Sequence, residues 1–206
     1  MQYQIRPDFP LSEKSCREVT GKSLAQWFAL LDQRNALKLG RRDTNVMLRD
    51  EFSLPEWWCG TIAVEYEMHK DIRKKDGFYE GYFICSTKTL NSPVADVYRA
   101  WTDNTILSQW FGSKSTATVA DGGSFGNADG DKGTYLRVRA DKDLRFTWEH
   151  ADFSPGSIVD VVFQDKGKGK TGLLVNHSRI QSKAEADGLR ASWSDALARL
   201  KQVLEA

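Results

Sequence analysis

The side chains best suited to chemistry in this sequence are three histidines, His69, His150 and His177. Their spacing contains no HxH or HExxH pair, so they do not describe a zinc site. His150 stands beside Glu149 and close to Asp152, a grouping that could supply an acid and a base. His177 falls within LLVNHS, where a lone imidazole could anchor a polar group in an otherwise apolar cavity. No GxSxG elbow marks a nucleophile. GKGKTG at 167–172 matches GxGxxG literally, but it lies between two strand-like runs, whereas a dinucleotide site needs the glycines to open a helix. DGGSFGNADGDKG at 121–133 spaces Asp129 and Asp131 as in a calcium loop, yet the twelfth position is Ala140, where a bidentate glutamate is required. Turn chemistry accounts for it. Cys16, Cys59 and Cys85 are odd in number and far apart, and read as small buried apolar residues. No catalytic residue, metal or cofactor follows from these motifs.

Those residues need elements to hold them, and two patterns succeed one another along the chain. The first 75 or so residues read as helices. Ser23 caps a segment with Leu24, Trp27, Phe28 and Leu31 on one face, and Asp43 caps another carrying Val46, Met47 and Leu48 before Phe52. Pro55 opens a longer helix in which Trp58, Ile62 and Tyr66 recur every four residues. After KKDG at 74–77 come short alternating runs, GYFICSTKTL, SKSTATVA, GTYLRVRA, LRFTWEH, SIVDVVFQD and GLLVNHS. In GTYLRVRA the alternation puts Thr134, Leu136 and Val138 on one face and Tyr135, Arg137 and Arg139 on the other. Ser92 and Pro93 start a helix with Val94, Val97, Tyr98 and Trp101 on one stripe. At the end of the chain, Ser182 and Glu185 suggest a capping box for a helix whose apolar face runs from Leu189 through Trp193, Ala196, Leu197, Leu200, Val203 and Leu204. Only the sheet is large enough to bury that face. The expected fold is α+β: a helix-grip, with a curved antiparallel sheet wrapped on a long C-terminal helix, behind an N-terminal all-helical domain.

Composition restricts the partners. Of 206 residues, 40% are hydrophobic and 28% charged, and the net charge is +1, so bulk charge implies no nucleic acid. TNVMLRDEFSLPEWWCGTIAVEYE has the outline of a helix-turn-helix, but residues 1–80 carry 13 Lys+Arg against 13 Asp+Glu, and Glu56, Glu65 and Glu67 would repel phosphate. No apolar run is long enough to span a bilayer and no signal-peptide pattern opens the chain, so the expected location is cytoplasmic, with no membrane partner.

SPVADVYRAWTD (92–103), LSQWFG (107–112), DGGSF (121–125), LRFTWE (144–149), LLVNHS (173–178) and GLRASWSDALARLKQVL (188–204) occur in an order that resembles the activator of heat-shock protein 90 ATPase homolog family, within the START-like, helix-grip (SRPBCC) superfamily. TGKSLAQWFALLD and LPEWWCGTIAVEYE are similar to an uncharacterised helical domain fused ahead of such modules. The resemblance implies that the WFG segment ends the second short helix and closes the notch between sheet and long helix. It further implies a cavity there, with Trp101, Trp110, Phe111, Phe146, Trp148, His177 and Trp193 as candidate ligand-binding residues. The family mixes chaperone activators, lipophilic-ligand binders and a few cyclase-like or hydrolytic members. The expected function is therefore non-enzymatic binding of a small hydrophobic or aromatic ligand, with a co-chaperone-like protein-interaction module, or a cyclase or hydrolase using a cavity histidine, as alternatives.

The change of pattern predicts a helical domain over 1–77 and a helix-grip domain over 78–206. A fragment beginning near Gly77 should then fold alone. If its circular dichroism is that of an unfolded chain while the whole protein melts cooperatively, the halves share one core.

Overall fold

The computed structural model describes Met1, Tyr3 and residues 12–206, and it divides into two compact units. The helical unit ends at Tyr82; the second comprises Phe83–Ala206, to which Met1 and Tyr3 also belong.

The helical unit contains α1 (Glu13–Thr20), α2 (Leu24–Gln33), α3 (Ala36–Leu39), α4 (Arg41–Phe52) and α5 (Glu56–His69). Ser23 caps α2 in a complete capping box with Gln26. Asp43, expected to cap α4, instead lies in its first turn, because Gly40 takes the cap position with a left-handed φ of 80°. Cys16, Trp27, Leu31, Leu48, Trp58, Cys59, Ile62 and Tyr66 form the core, so the four-residue recurrence in α5 faces inward as read. Val46 does not join it and is exposed.

In the second unit β1 (Tyr82–Leu90) is followed by α6 (Val94–Thr102), α7 (Asn104–Trp110), β2 (Thr116–Ala117), β3 (Ser124–Gly126), β4 (Lys132–Arg139), β5 (Asp143–Trp148), β6 (Ser157–Gly167), β7 (Lys170–Ile180) and α8 (Lys183–Glu205). The seven strands form one curved antiparallel sheet in the order β1-β7-β6-β5-β4-β3-β2, and with the long terminal helix this is the α+β helix-grip arrangement. Leu144, Phe146 and Trp148 of β5 point inward, opposite Val161, Val159 and Ser157 of β6. On β7, Leu173, Val175 and His177 continue the same buried row. Cys85 departs from expectation: Ile84 takes the inward position on β1, which turns Cys85 outward.

Strict alternation also fails in β4. A bulge between Tyr135 and Arg137 adds one residue, so Tyr135 pairs with Phe146 and Val138 with Leu144. Alternation holds as far as Leu136, which is 46% exposed beside the buried Tyr135, and the bulge then separates Val138 from the Leu136 face it was expected to share. Two expected caps differ as well. Pro93 takes the cap position of α6, leaving the Ser92 hydroxyl to reach the Leu204 carbonyl. At α8 the Ser182 hydroxyl accepts from the Glu185 amide, but the Glu185 carboxylate turns away to accept from the Ser154 amide and hydroxyl. That exchange ties the start of the helix to the loop after β5.

The α8 face is formed by Leu189, Trp193, Ala196, Leu197 and Leu200, all buried. Trp193→Ala removes a fully buried ring from the helix-sheet seam and should cost about 3–5 kcal/mol. Urea denaturation measures it, and a loss under about 1 kcal/mol would mean that this face does not carry the packing.

Candidate functional site

Elements from both ends of the second unit converge on one aromatic cluster. α6 delivers Trp101, the end of α7 delivers Trp110 and Phe111, β5 delivers Phe146 and Trp148, β7 delivers His177, and α8 delivers Trp193. All seven are buried. Trp101 meets Trp110 edge-on at 4.7 Å and lies nearly parallel to Trp193 at 6.1 Å. Trp148 meets Trp193 at 5.5 Å, Phe111 at 5.6 Å and His177 at 5.6 Å. The structure thus brings together the seven residues that the resemblance offered as ligand-binding candidates, and their rings contact one another across the sheet-helix junction.

Phe125 was missed. It sits 5.0 Å from Phe146 and 6.1 Å from Phe111, on a strand the sequence presents as a glycine turn. Gly133 makes room for it, since a Cβ there would stand 2.5 Å from the Phe125 ring and 1.9 Å from the Thr147 carbonyl oxygen.

His177 has a defined proton. The Trp193 indole N–H donates to Nδ1 at 3.2 Å, so Nδ1 is the bare nitrogen and Nε2 carries the hydrogen. Nε2 lies 2.9 Å from the Ser157 hydroxyl, which itself donates to the Trp148 carbonyl at 3.2 Å. Burial pushes the imidazole down to about 3, which keeps it neutral. Both nitrogens are engaged within the core, an arrangement that holds α8 on β7 and leaves neither free as a base. His150 is similarly engaged, with Nδ1 accepting from the Asp152 amide at 3.1 Å and Nε2 at 3.1 Å from the Asp129 carbonyl. Glu149 points the other way, to Lys132, so the proposed acid/base pair does not form. His69 stacks on Phe28 in the helical unit, 4.9 Å away. Among the described residues no group of three His, Cys, Asp or Glu side chains could hold a metal ion.

Two polar atoms in the cluster stand apart. The Trp110 indole N–H donates to the Ala100 carbonyl at 2.9 Å and Trp193 to His177, but the buried indole N–H groups of Trp101 and Trp148 have no acceptor among the described residues. An open concavity of about 340 Å³ runs along the WFG segment, lined by Ser108 to Ser113, Asp129 and Arg199, and neither Trp101 nor Trp148 borders it. Trp110 and Phe111 are the members of the cluster that border it. Arg199 donates through Nε to the Trp110 carbonyl at 3.0 Å, fixing the turn to α8. Gly112 completes the turn for a steric reason. A Cβ there would lie 2.3 Å from the Asn127 amide nitrogen and 2.8 Å from an Asp129 carboxylate oxygen.

On the far side of Trp148 lies Tyr3. Its ring contacts Trp148 at 6.1 Å, His150 at 4.9 Å and Phe153 at 4.8 Å, and its hydroxyl donates to Asp131 Oδ1. Asp131 is buried, and its Oδ2 accepts from Asn127 Nδ2 at 2.7 Å and from the Met1 amino group, which also reaches Asp129 at 3.2 Å. Burial and the adjacent Asp131 charge hold the Tyr3 phenol protonated far above its usual range. Nothing in its sequence context marks Tyr3, because the contact spans 128 residues.

Residues 91–205 match the family model described as Activator of Hsp90 ATPase homolog 1-like protein. The chain belongs to that family. The match covers α6 through α8 and so includes every member of the aromatic cluster. Among solved structures, CalU16 from Micromonospora echinospora is 24% identical, with a TM-score of 0.54 over 59% of this chain and 75% of its own. DynU16, from the dynemicin biosynthetic locus, is 28% identical at a TM-score of 0.54, covering 60% of this chain and 47% of that one. An HSP90 activator from Plasmodium falciparum is 18% identical, also at 0.54, over 61% and 97%. Comparison with curated proteins finds no match. No helix among the described residues is long and apolar enough to cross a membrane.

The His177 assignment has a pH signature. The folded value lies below the ordinary 6.5, so the stability it contributes is fully present above about pH 6.5 and is lost as pH falls toward 3. Replacing it by glutamine should flatten the acid limb of stability by up to one proton, about 1.4 kcal/mol per pH unit. Urea midpoints between pH 7 and 4 read the difference, and parallel limbs in the two proteins would contradict a buried neutral imidazole.

Proposed function

We propose that the helix-grip unit is a non-enzymatic binding module for a small aromatic or hydrophobic molecule that carries a hydrogen-bond acceptor. The observation behind this reading is the pair of buried indole N–H groups on Trp101 and Trp148. Leaving a buried donor without an acceptor costs about 1–3 kcal/mol, and every other indole of the cluster has found one. A ligand between these rings recovers that loss and adds aromatic contact. The groove is bordered by Trp110 and Phe111, whose rings touch Trp101 and Trp148, and this supports the reading. The engaged state of both nitrogens on His177 and on His150 speaks against the cyclase or hydrolase alternative. The likeness to DynU16, a protein of a biosynthetic locus, adds support for a small-molecule partner.

A protein-interaction role is the second reading, favoured by family membership and by Phe83, which is 57% exposed on β1. The two readings separate on one titration. 1-Anilinonaphthalene-8-sulfonate should bind the folded protein with micromolar affinity, roughly −8 kcal/mol. Trp148→Phe and Trp101→Phe keep a ring but delete the donor, and each should weaken the probe about tenfold, the worth of one hydrogen bond. A folded protein that ignores the probe, or binds it equally in all three forms, favours the protein partner instead.

A further inference from the structure

The buried Asp131 carboxylate has its two oxygens divided between different donors. Oδ2 is engaged by Asn127 and the Met1 amino group, while Oδ1 accepts from the Tyr3 hydroxyl alone among the described residues. A carboxylate with so little solvent contact needs a donor on each oxygen. Around the Tyr3 ring, Trp148, His150 and Phe153 form a box of three rings at 4.8–6.1 Å, each meeting it at a steep angle. The box and the carboxylate oxygen together describe one chemical object, a flat ring with an O–H on its rim. Trp148 is shared between this box and the aromatic cluster, and its own indole N–H has no acceptor among the described residues.

Resting on the ligand-binding reading above, we propose that this box is the outer part of the ligand site, that it takes a phenolic ring donating its hydroxyl to Asp131 Oδ1, and that Tyr3 is its resident competitor. Recognition is then twofold. The three rings select a planar aromatic body, and the buried carboxylate selects a donor on it, since an ether or a bare hydrocarbon would leave Oδ1 unpaired. The affinity of the protein for its ligand is set against the occupancy of the same position by its own side chain, in the manner of any ligand that binds only the fraction of molecules whose site is vacant.

Isothermal titration of 2-naphthol and 2-methoxynaphthalene into the wild-type protein and into Tyr3→Ala tests this. 2-Naphthol should bind the variant about tenfold tighter than wild type, because the competitor is gone. Within the variant, 2-methoxynaphthalene should bind about tenfold more weakly than 2-naphthol, the loss of one hydrogen bond to a charged acceptor. Equal affinity of 2-naphthol for both proteins, or equal affinity of the two ligands for the variant, overturns the proposal. If that equal binding still displaces 1-anilinonaphthalene-8-sulfonate, the ligand-binding module survives and only the phenol site falls. If neither protein binds either naphthalene, the phenol site falls, and if neither binds 1-anilinonaphthalene-8-sulfonate as well, both readings fall together.

Discussion

The hydrogen bond from Trp193 to His177 is the contact on which the rest of this unit depends. A helix of 23 residues lies across the sheet with its apolar face buried, and apolar packing alone tolerates small shifts of register. The indole N–H and the imidazole Nδ1 do not, since sliding α8 by a turn would strand a donor on one side and an acceptor on the other. The bond also determines which nitrogen of His177 is protonated, and through Nε2 it orients Ser157 and the end of β5. Helix, middle strands and the position of Trp148 are thus fixed by one connected set of polar groups inside an apolar core.

Around that set the aromatic residues divide labour. Trp193 and Trp110 have satisfied donors and behave as structural members. Trp101 and Trp148 occupy the same cluster with no acceptor for their donors among the described residues, although both are as buried as their neighbours. Burial and ring contact do not distinguish the two pairs; only the accounting of N–H groups does. It is this difference, rather than the abundance of aromatics, that the ligand-binding proposal rests on.

Much of the fold was legible in the sequence because its signals were local. The α8 stripe, the inward Phe146 and Trp148, and the four-residue recurrence of Trp58, Ile62 and Tyr66 each follow from a period that one element imposes on itself. What was misread depended on distant partners. Val138 leaves the face it was expected to share with Leu136 because a bulge against β5 adds a residue, which no alternation within β4 announces. Glu185 is diverted from its cap by Ser154, 31 residues away. The seven candidate residues were found as a set because the family motifs contain them. Phe125 looked like part of a turn, and Tyr3 reaches its carboxylate across almost the whole unit.

Gly112 joins the two sides of the candidate site. With no side chain on it, the end of α7 lies directly against Asn127 and Asp129, closer than any Cβ would permit. The same Asn127 holds Asp131, and the same Asp129 lines the groove beside Trp110. The groove wall and the carboxylate shelf therefore meet at the same two side chains. A methyl group on this glycine would displace the Asn127 and Asp129 side chains, and with them both the groove wall and the shelf on which Asp131 is held.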